Sequence, residues 1–328
     1  MTQTPATALL DHLAVPMARV NDLIAEHMRS PISLIPQIGQ HITQAGGKRI
    51  RPLMTLAAAQ LAGAGDMEQA TKLAAAVEFI HTATLLHDDV VDGSDLRRGM
   101  PTANRVWGNK ATVLVGDFLF SHAFELMVAV GRLDVLDTLS KASAKITEGE
   151  VHQLKTANDL TTTQAEYMRV IGAKTAALFE AAMEVGGLVS TGDAGQVQAL
   201  ATYGYELGLA FQMTDDALDF ATSQTQLGKA VGDDFREGKV TLPIILAYAA
   251  GDAEQQAFWV RTVQNLKQSD DDLQTALVYL RQHDALGQTL QRSSAAAARA
   301  KAALAVFPES RIKTLLLDLA DFAVERSH

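Results

Sequence analysis

Apolar residues recur at three- and four-residue spacing through almost the whole chain, and alternating strand patterns are scarce. Leu9, Leu10, Leu13, Met17, Val20 and Ile24 predict an opening helix, bent or restarted near Pro16. Residues 31–44 predict a second helix, ended by Gly46 and Gly47. Pro52 sits just inside a third that runs to about Gly63, where its fixed φ suits a first turn. Asp66 caps a long helix to about Val91, stopped by Gly93. A polar loop then fills 93–109. Further helices are predicted over about 111–130, 133–157, 162–189 and 192–220. The stretch 221–238, rich in Gly, Asp and Lys, reads as a lid-like loop. After Pro243 helices continue to the end, and the Ala-rich run 293–306 is an ordinary helix of strong helix formers. With no linker and no solenoid repeat, the expectation is one all-α domain over residues 1–328.

Composition narrows the function classes. The chain has 328 residues, 48% of them hydrophobic, enough for a large buried core. A net charge of −10 argues against a nucleic-acid partner. The absence of cysteine excludes disulfides, thiolate nucleophiles and Cys-based zinc sites. The first twenty residues lack a basic segment and a long apolar run, and no 18-residue apolar stretch is free of charge. Neither a signal peptide nor a membrane span is expected, and the expected location is cytoplasmic.

The chemistry gathers around residues 85–99. Asp88, Asp89 and Asp92 stand at i, i+1 and i+4, and on a helix Asp88 and Asp92 share a face one turn apart. Such carboxylates offer hard oxygen ligands to Mg²⁺ or Mn²⁺. Arg97, Arg98 and Gly99 follow, and cation-binding acids beside paired guanidiniums suit a diphosphate held through metal. Asp215, Asp216 and Asp219 repeat the spacing inside another apolar run. Carboxylates there are costly to desolvate without a cation. Upstream, Lys48, Arg49 and Arg51 place three cations in four residues and call for an anion, although no Walker A loop occurs. His81 lies seven residues before Asp88, on the same helix face. Glu78 and His81 form one E-x-x-H pair, but no second pair completes a di-iron set. Ser269 with Asp270, Asp271 and Asp272 reads as helix capping with no basic partner.

The two aspartate motifs and the Gly46–Pro52 segment resemble the trans-type polyprenyl diphosphate synthases. So do Phe79–Asp92, Glu148–Leu154, Lys174-Thr175 and Gly232–Pro243, and the likeness spans about 45–246. The segment before the first motif resembles the long-chain members in particular. The resemblance implies a helical bundle around a deep central cavity, a homodimer, and head-to-tail condensation of isopentenyl diphosphate with an allylic diphosphate. It implies two to three Mg²⁺ ions at Asp88, Asp89, Asp92, Asp215, Asp216 and Asp219, with Asp233 and Asp234 behind the second set. Lys48, Arg51, His81 and Arg98 would hold isopentenyl diphosphate. Arg97, Lys174, Thr175, Gln212, Lys229 and Lys239 would hold the allylic diphosphate. Loop 221–238 would exclude water, and release of an apolar product would bring the protein to a membrane surface. Gly93, Met100 and Thr214 depart from the family pattern without removing a ligand.

Ala83 lies five residues before Asp88, about 7.5 Å along a helix. Short-chain members of the family carry a bulky aromatic there, so Ala83 and Thr84 imply a long product, near eight isoprene units, serving a quinone side chain. Met127 and Leu139 are candidates for a deeper floor. A terpene cyclase would lack the Gly46–Pro52 segment and the second triad. A non-catalytic subunit of a heteromeric synthase would have lost an aspartate motif.

Overall fold

The computed structural model describes residues 3–44, 49–97, 99–220 and 232–325. Among them, seventeen α-helices and one minimal hairpin bear out the all-α expectation. The opening segment is two helices, α1 (Pro5–His12) and α2 (Ala14–His27). The break falls at Leu13, so Pro16 lies in the first turn of α2, where its missing N–H removes no helical bond. Next come α3 (Leu34–Gln44) and α4 (Ile50–Leu61), the latter opened by Arg49 in the left-handed region at φ 44°. Helix α5 (Glu68–Val91) begins where the Asp66 carboxylate accepts the Glu68 N–H at 3.0 Å. It stops before Gly93, at φ 62°.

The predicted polar loop 93–109 is more ordered than its sequence suggests. It holds a hairpin, β1 (Leu96–Arg97) against β2 (Met100–Pro101), turned at Gly99, and then α6 (Ala103–Trp107). Helix α7 (Asn109–Val130) is the one described helix long and apolar enough to cross a membrane, at a mean hydropathy of 1.7. Asp117 and Glu125 interrupt it, and it packs along α5. Helix α8 (Leu133–Thr156) follows.

The single helix expected over 162–189 is broken. A capping box of Thr163 and Glu166 starts α9 (Gln164–Ile171), a π-helical turn occupies Gly172–Ala176, and α10 (Ala177–Leu188) completes the run. Helices α11 (Ala194–Leu218), α12 (Asp233–Arg236), α13 (Leu242–Ala250) and α14 (Ala253–Trp259) come next. A second π turn spans Val260–Gln264, before α15 (Asp272–Gln282), α16 (Ala285–Ala303) and α17 (Arg311–Glu325). The Ala-rich run lies largely in α16, as predicted.

The chain forms two compact units. The first comprises Met1–Ser143, Leu178–Gly204 and Ala303–Leu319; the second comprises Ala144–Ala177, Tyr205–Ala302 and Ala320–His328. Their boundaries fall inside α8, α10, α11, α16 and α17, not in linkers. In the first unit α5 is buried from Leu73 through Val77 and again at Phe79, Ile80, Ala83 and Leu86, with α2, α4 and α7 packed around it. In the second, Phe235, Phe258, Trp259 and Tyr279 pack edge-on or stacked within one apolar core. The acidic run at 270–272 is structural, with one correction: Asp272 has a basic partner. Arg261 grips it through two hydrogen bonds of 2.7 Å, and Asp272 also accepts the Ser269 N–H at 2.7 Å. The guanidinium holds this carboxyl well below the usual range.

Candidate functional site

The first acidic cluster forms where α5 ends. Asp88 and Asp89 lie in its last turn and Asp92 is its C-cap, exposed to solvent. Asp89, about 100° round the helix from Asp88, is only 4% exposed. Arg97, on β1, reaches it with Nε at 3.0 Å and Nη2 at 2.7 Å. The hairpin that carries Arg97 is tied down by Thr102, whose hydroxyl donates to the Ser94 carbonyl at 2.6 Å, and by Asn104 at 3.2 Å. A buried carboxylate is tolerable there because the guanidinium forks onto it.

About two turns before Asp88, the Arg51 Nη1 donates to His81 Nε2 at 3.0 Å, which fixes the neutral imidazole with its proton on Nδ1. The Arg51 guanidinium also lies 4.3 Å from the Phe179 ring centroid, a cation–π contact that orients it. Two of the four residues expected at the isopentenyl diphosphate site are therefore together. The other two, Lys48 and Arg98, lie outside the described residues. The expected chain-length positions Ala83, Met127 and Leu139 are fully buried, while Thr84 is half-buried and donates its hydroxyl to the His81 carbonyl.

The second cluster sits on α11 within the other unit. Asp216 is 4% exposed; its carboxylate accepts the Tyr167 hydroxyl at 2.6 Å and the Gln212 amide at 2.7 Å. Gln212 in turn accepts the Thr175 hydroxyl at 2.9 Å, so two expected diphosphate-binding residues are linked to the triad. Burial, then the negative charges of Asp234 and Asp215, push the Asp216 carboxyl up to about 8. The same burial and the neighbouring carboxylates raise the Tyr167 phenol well above its ordinary value. Asp219 accepts the Asp234 N–H at 3.1 Å, and its carbonyl accepts the Gly232 N–H at 2.8 Å. These bonds place Asp234 against the triad, while Asp233 pairs with Arg236 at 2.9 Å.

Lys174 lies in the π turn and pairs with Glu150 of α8 at 2.7 Å. Gly149 makes this possible: a Cβ there would stand 2.7 Å from the Lys174 backbone nitrogen. Lys239 pairs with Glu237 and donates its N–H to the Asp234 carbonyl at 2.9 Å. Lys229 and residues 221–231 of the expected lid lie outside the described residues. The remainder of that stretch holds α12 and is anchored: Asn158 donates to the Gly238 and Val263 carbonyls, and Gln268 to those of Phe235 and Thr262.

Sequence reasoning missed Tyr167 and Asn158, which no spacing marks, and left Glu150 unassigned although it lies in a matched stretch. The second cluster concentrates carboxylates in a desolvated place at the cost of a protonated Asp216. That donor set fits a divalent cation, which would restore the carboxylate. Among the described residues, three metal-ligand atoms converge to within 4.8 Å of one another elsewhere, at His27, His122 and Glu125.

The family model of polyprenyl synthetases matches residues 32–280. An octaprenyl diphosphate synthase of Escherichia coli strain K12 is 46% identical over 94% of this chain and 95% of its own. A decaprenyl diphosphate synthase structure from Rhodobacter capsulatus superposes with a TM-score of 0.95 at 49% identity, covering 98% of this chain and 99% of that one. A polyprenyl synthase from Caulobacter crescentus CB15, solved with calcium and isoprenyl diphosphate, gives 0.95 and 49% over the full length of both chains. Matching motifs, matching fold and near-complete coverage lead to one conclusion: this chain belongs to the polyprenyl synthetase family.

Proposed function

We infer that the protein is a long-chain trans-polyprenyl diphosphate synthase, a prenyltransferase that condenses isopentenyl diphosphate repeatedly, head to tail, onto farnesyl diphosphate. The observation that carries this reading is the second acidic cluster. Asp216 is buried, crowded by Asp215 and Asp234, and linked through Gln212 to Thr175. Such a site is stabilised by multivalent cations and the polyphosphate they carry.

Asp88, Asp89, Asp92, Asp215, Asp216 and Asp219 would hold two to three Mg²⁺ ions, with Asp233 and Asp234 behind the second set. When bound, these ions supply electrophilic neutralisation of the allylic diphosphate as its C–O bond ionises. Arg97 and Lys174 now hold the carboxylates of Asp89 and Glu150, and each would turn to diphosphate oxygens in the complex. Thr175 and Gln212 would hydrogen-bond the same group, with Lys229 and Lys239 closing over it. Arg51, its fork steadied by His81 and Phe179, would orient isopentenyl diphosphate with Lys48 and Arg98. The double bond then attacks the allylic carbon, and the departing diphosphate removes the proton that leaves a trans double bond. Loop 221–238 would keep water from quenching the allylic cation. The small side chains of Ala83 and Thr84 support a product near eight isoprene units, suited to a quinone side chain. Exposed Leu114, Phe124 and Val128 on α7 support a homodimer.

The test is purified protein with labelled isopentenyl diphosphate, farnesyl diphosphate and Mg²⁺, with products sized by chromatography. One long product, lost on chelation, is expected. A cyclic hydrocarbon would make the protein a cyclase, and no turnover from folded protein would make it a non-catalytic subunit.

A further inference from the structure

We propose that His27, His122 and Glu125 form a transition-metal site, separate from the aspartate clusters, that takes Zn²⁺ and ties the end of α2 to α7. His27 is the last residue of α2, and His122 and Glu125 stand at i and i+3 on α7. One ligand atom from each lies within 4.8 Å of the other two. The rings are packed into place: those of His27 and His122 meet edge-on at 5.4 Å, and Phe118 closes on His122 at 4.3 Å. Phe79 of α5 flanks both imidazoles, at 6.3 and 6.5 Å.

His27 Nδ1 lies 3.0 Å from the Leu23 carbonyl, which can only accept, so Nδ1 carries a proton and Nε2 is the atom left to ligate a metal. This carbonyl contact is the outer support that orients metal-bound imidazoles. His122 Nδ1 is buried and 2.7 Å from Glu125 Oε2, near enough for an ion pair but too poorly aligned for a hydrogen bond. A cation bound at both atoms would satisfy the buried nitrogen and the carboxylate together. Two imidazoles and one carboxylate are borderline-soft nitrogen with oxygen, a set that selects Zn²⁺ over Mg²⁺ and leaves a fourth, tetrahedral position to water. The aspartate clusters offer oxygen alone and have the opposite preference.

The test uses the intact protein in millimolar Mg²⁺, which saturates the oxygen sites, titrated with Zn²⁺, and with Co²⁺ as a spectroscopic stand-in. One equivalent per chain should bind, with the absorption of tetrahedral Co²⁺, and Zn²⁺ should raise Tm by several degrees. His27→Gln and His122→Ala should abolish that equivalent, and Glu125→Gln should weaken it at least about tenfold. Because Glu125 is exposed, its variant keeps the fold should a histidine variant lose it. Zn²⁺ bound equally well by wild type and Glu125→Gln, or no Zn²⁺ bound beside Mg²⁺, would overturn the proposal.

Discussion

Asp216 shows how burial can outweigh two hydrogen-bond donors at a carboxylate. Tyr167 and Gln212 donate to it, yet burial beside Asp234 and Asp215 outweighs them, and its carboxyl rises to about 8. Between about pH 4 and 8 the folded, metal-free chain therefore holds a proton that the unfolded chain has lost. Stability should fall as pH rises through that window, by at most about 1.4 kcal/mol per pH unit from this group. Asp216→Asn, which keeps the shape without the titration, should flatten the slope. Urea unfolding in chelator at several pH values checks this, and parallel profiles for the two proteins would refute it. The triad spacing revealed the aspartates but not this proton, because Tyr167 and Asp234 come from other elements. Arg97 stands out in the sequence as a candidate phosphate ligand, whereas its grip on Asp89 depends on a hairpin that no periodicity marks.

At the scale of elements, helix placement was legible because buried apolar stripes repeat at the helical period along α5, α7 and α11. The irregular turns were not. The π turn at Gly172–Ala176 looks like continuous helix in sequence, since the run that follows it is buried at nearly every position and shows no helical phase to break. It presents Lys174 and Thr175, and Gly149 of α8 lets the two backbones approach. Gly149→Ala would drive a Cβ to 2.7 Å from the Lys174 nitrogen, forcing α8 and the turn apart. The expected cost is about 1–3 kcal/mol of stability. Because the shift moves Lys174 and Thr175, kcat/KM for the allylic substrate should drop at least about tenfold in protein that remains folded. Steady-state kinetics beside calorimetry separates the two effects, and lost stability with intact kinetics would leave Gly149 a packing residue only. On α5, Ala83 is fully buried. Ala83→Phe should shorten the products by several isoprene units while turnover of the first condensation persists. Full-length products from that variant would remove Ala83 from length control.

For the molecule as a whole, overall similarity does not set product length: relatives named for octaprenyl and decaprenyl products are 46% and 49% identical to this chain. What the whole chain does determine is its charge response. A chain at −10 with two aspartate triads repels a bare diphosphate, and an isolated cation at either triad lacks the phosphate oxygens that would complete its shell. Each ligand should therefore strengthen the other, and by linkage the coupling must be reciprocal. Mg²⁺ with inorganic diphosphate should raise Tm by more than the sum of their separate effects at matched ionic strength. Calorimetric titration should show each tightening the other by the same factor, on the order of 5–150-fold. Asp92→Asn, at the exposed end of the first triad, should reduce that factor without unfolding the protein. Strictly additive shifts would mean that the triads bind cations without recruiting phosphate, and the prenyl-transfer reading would then have lost its physical basis.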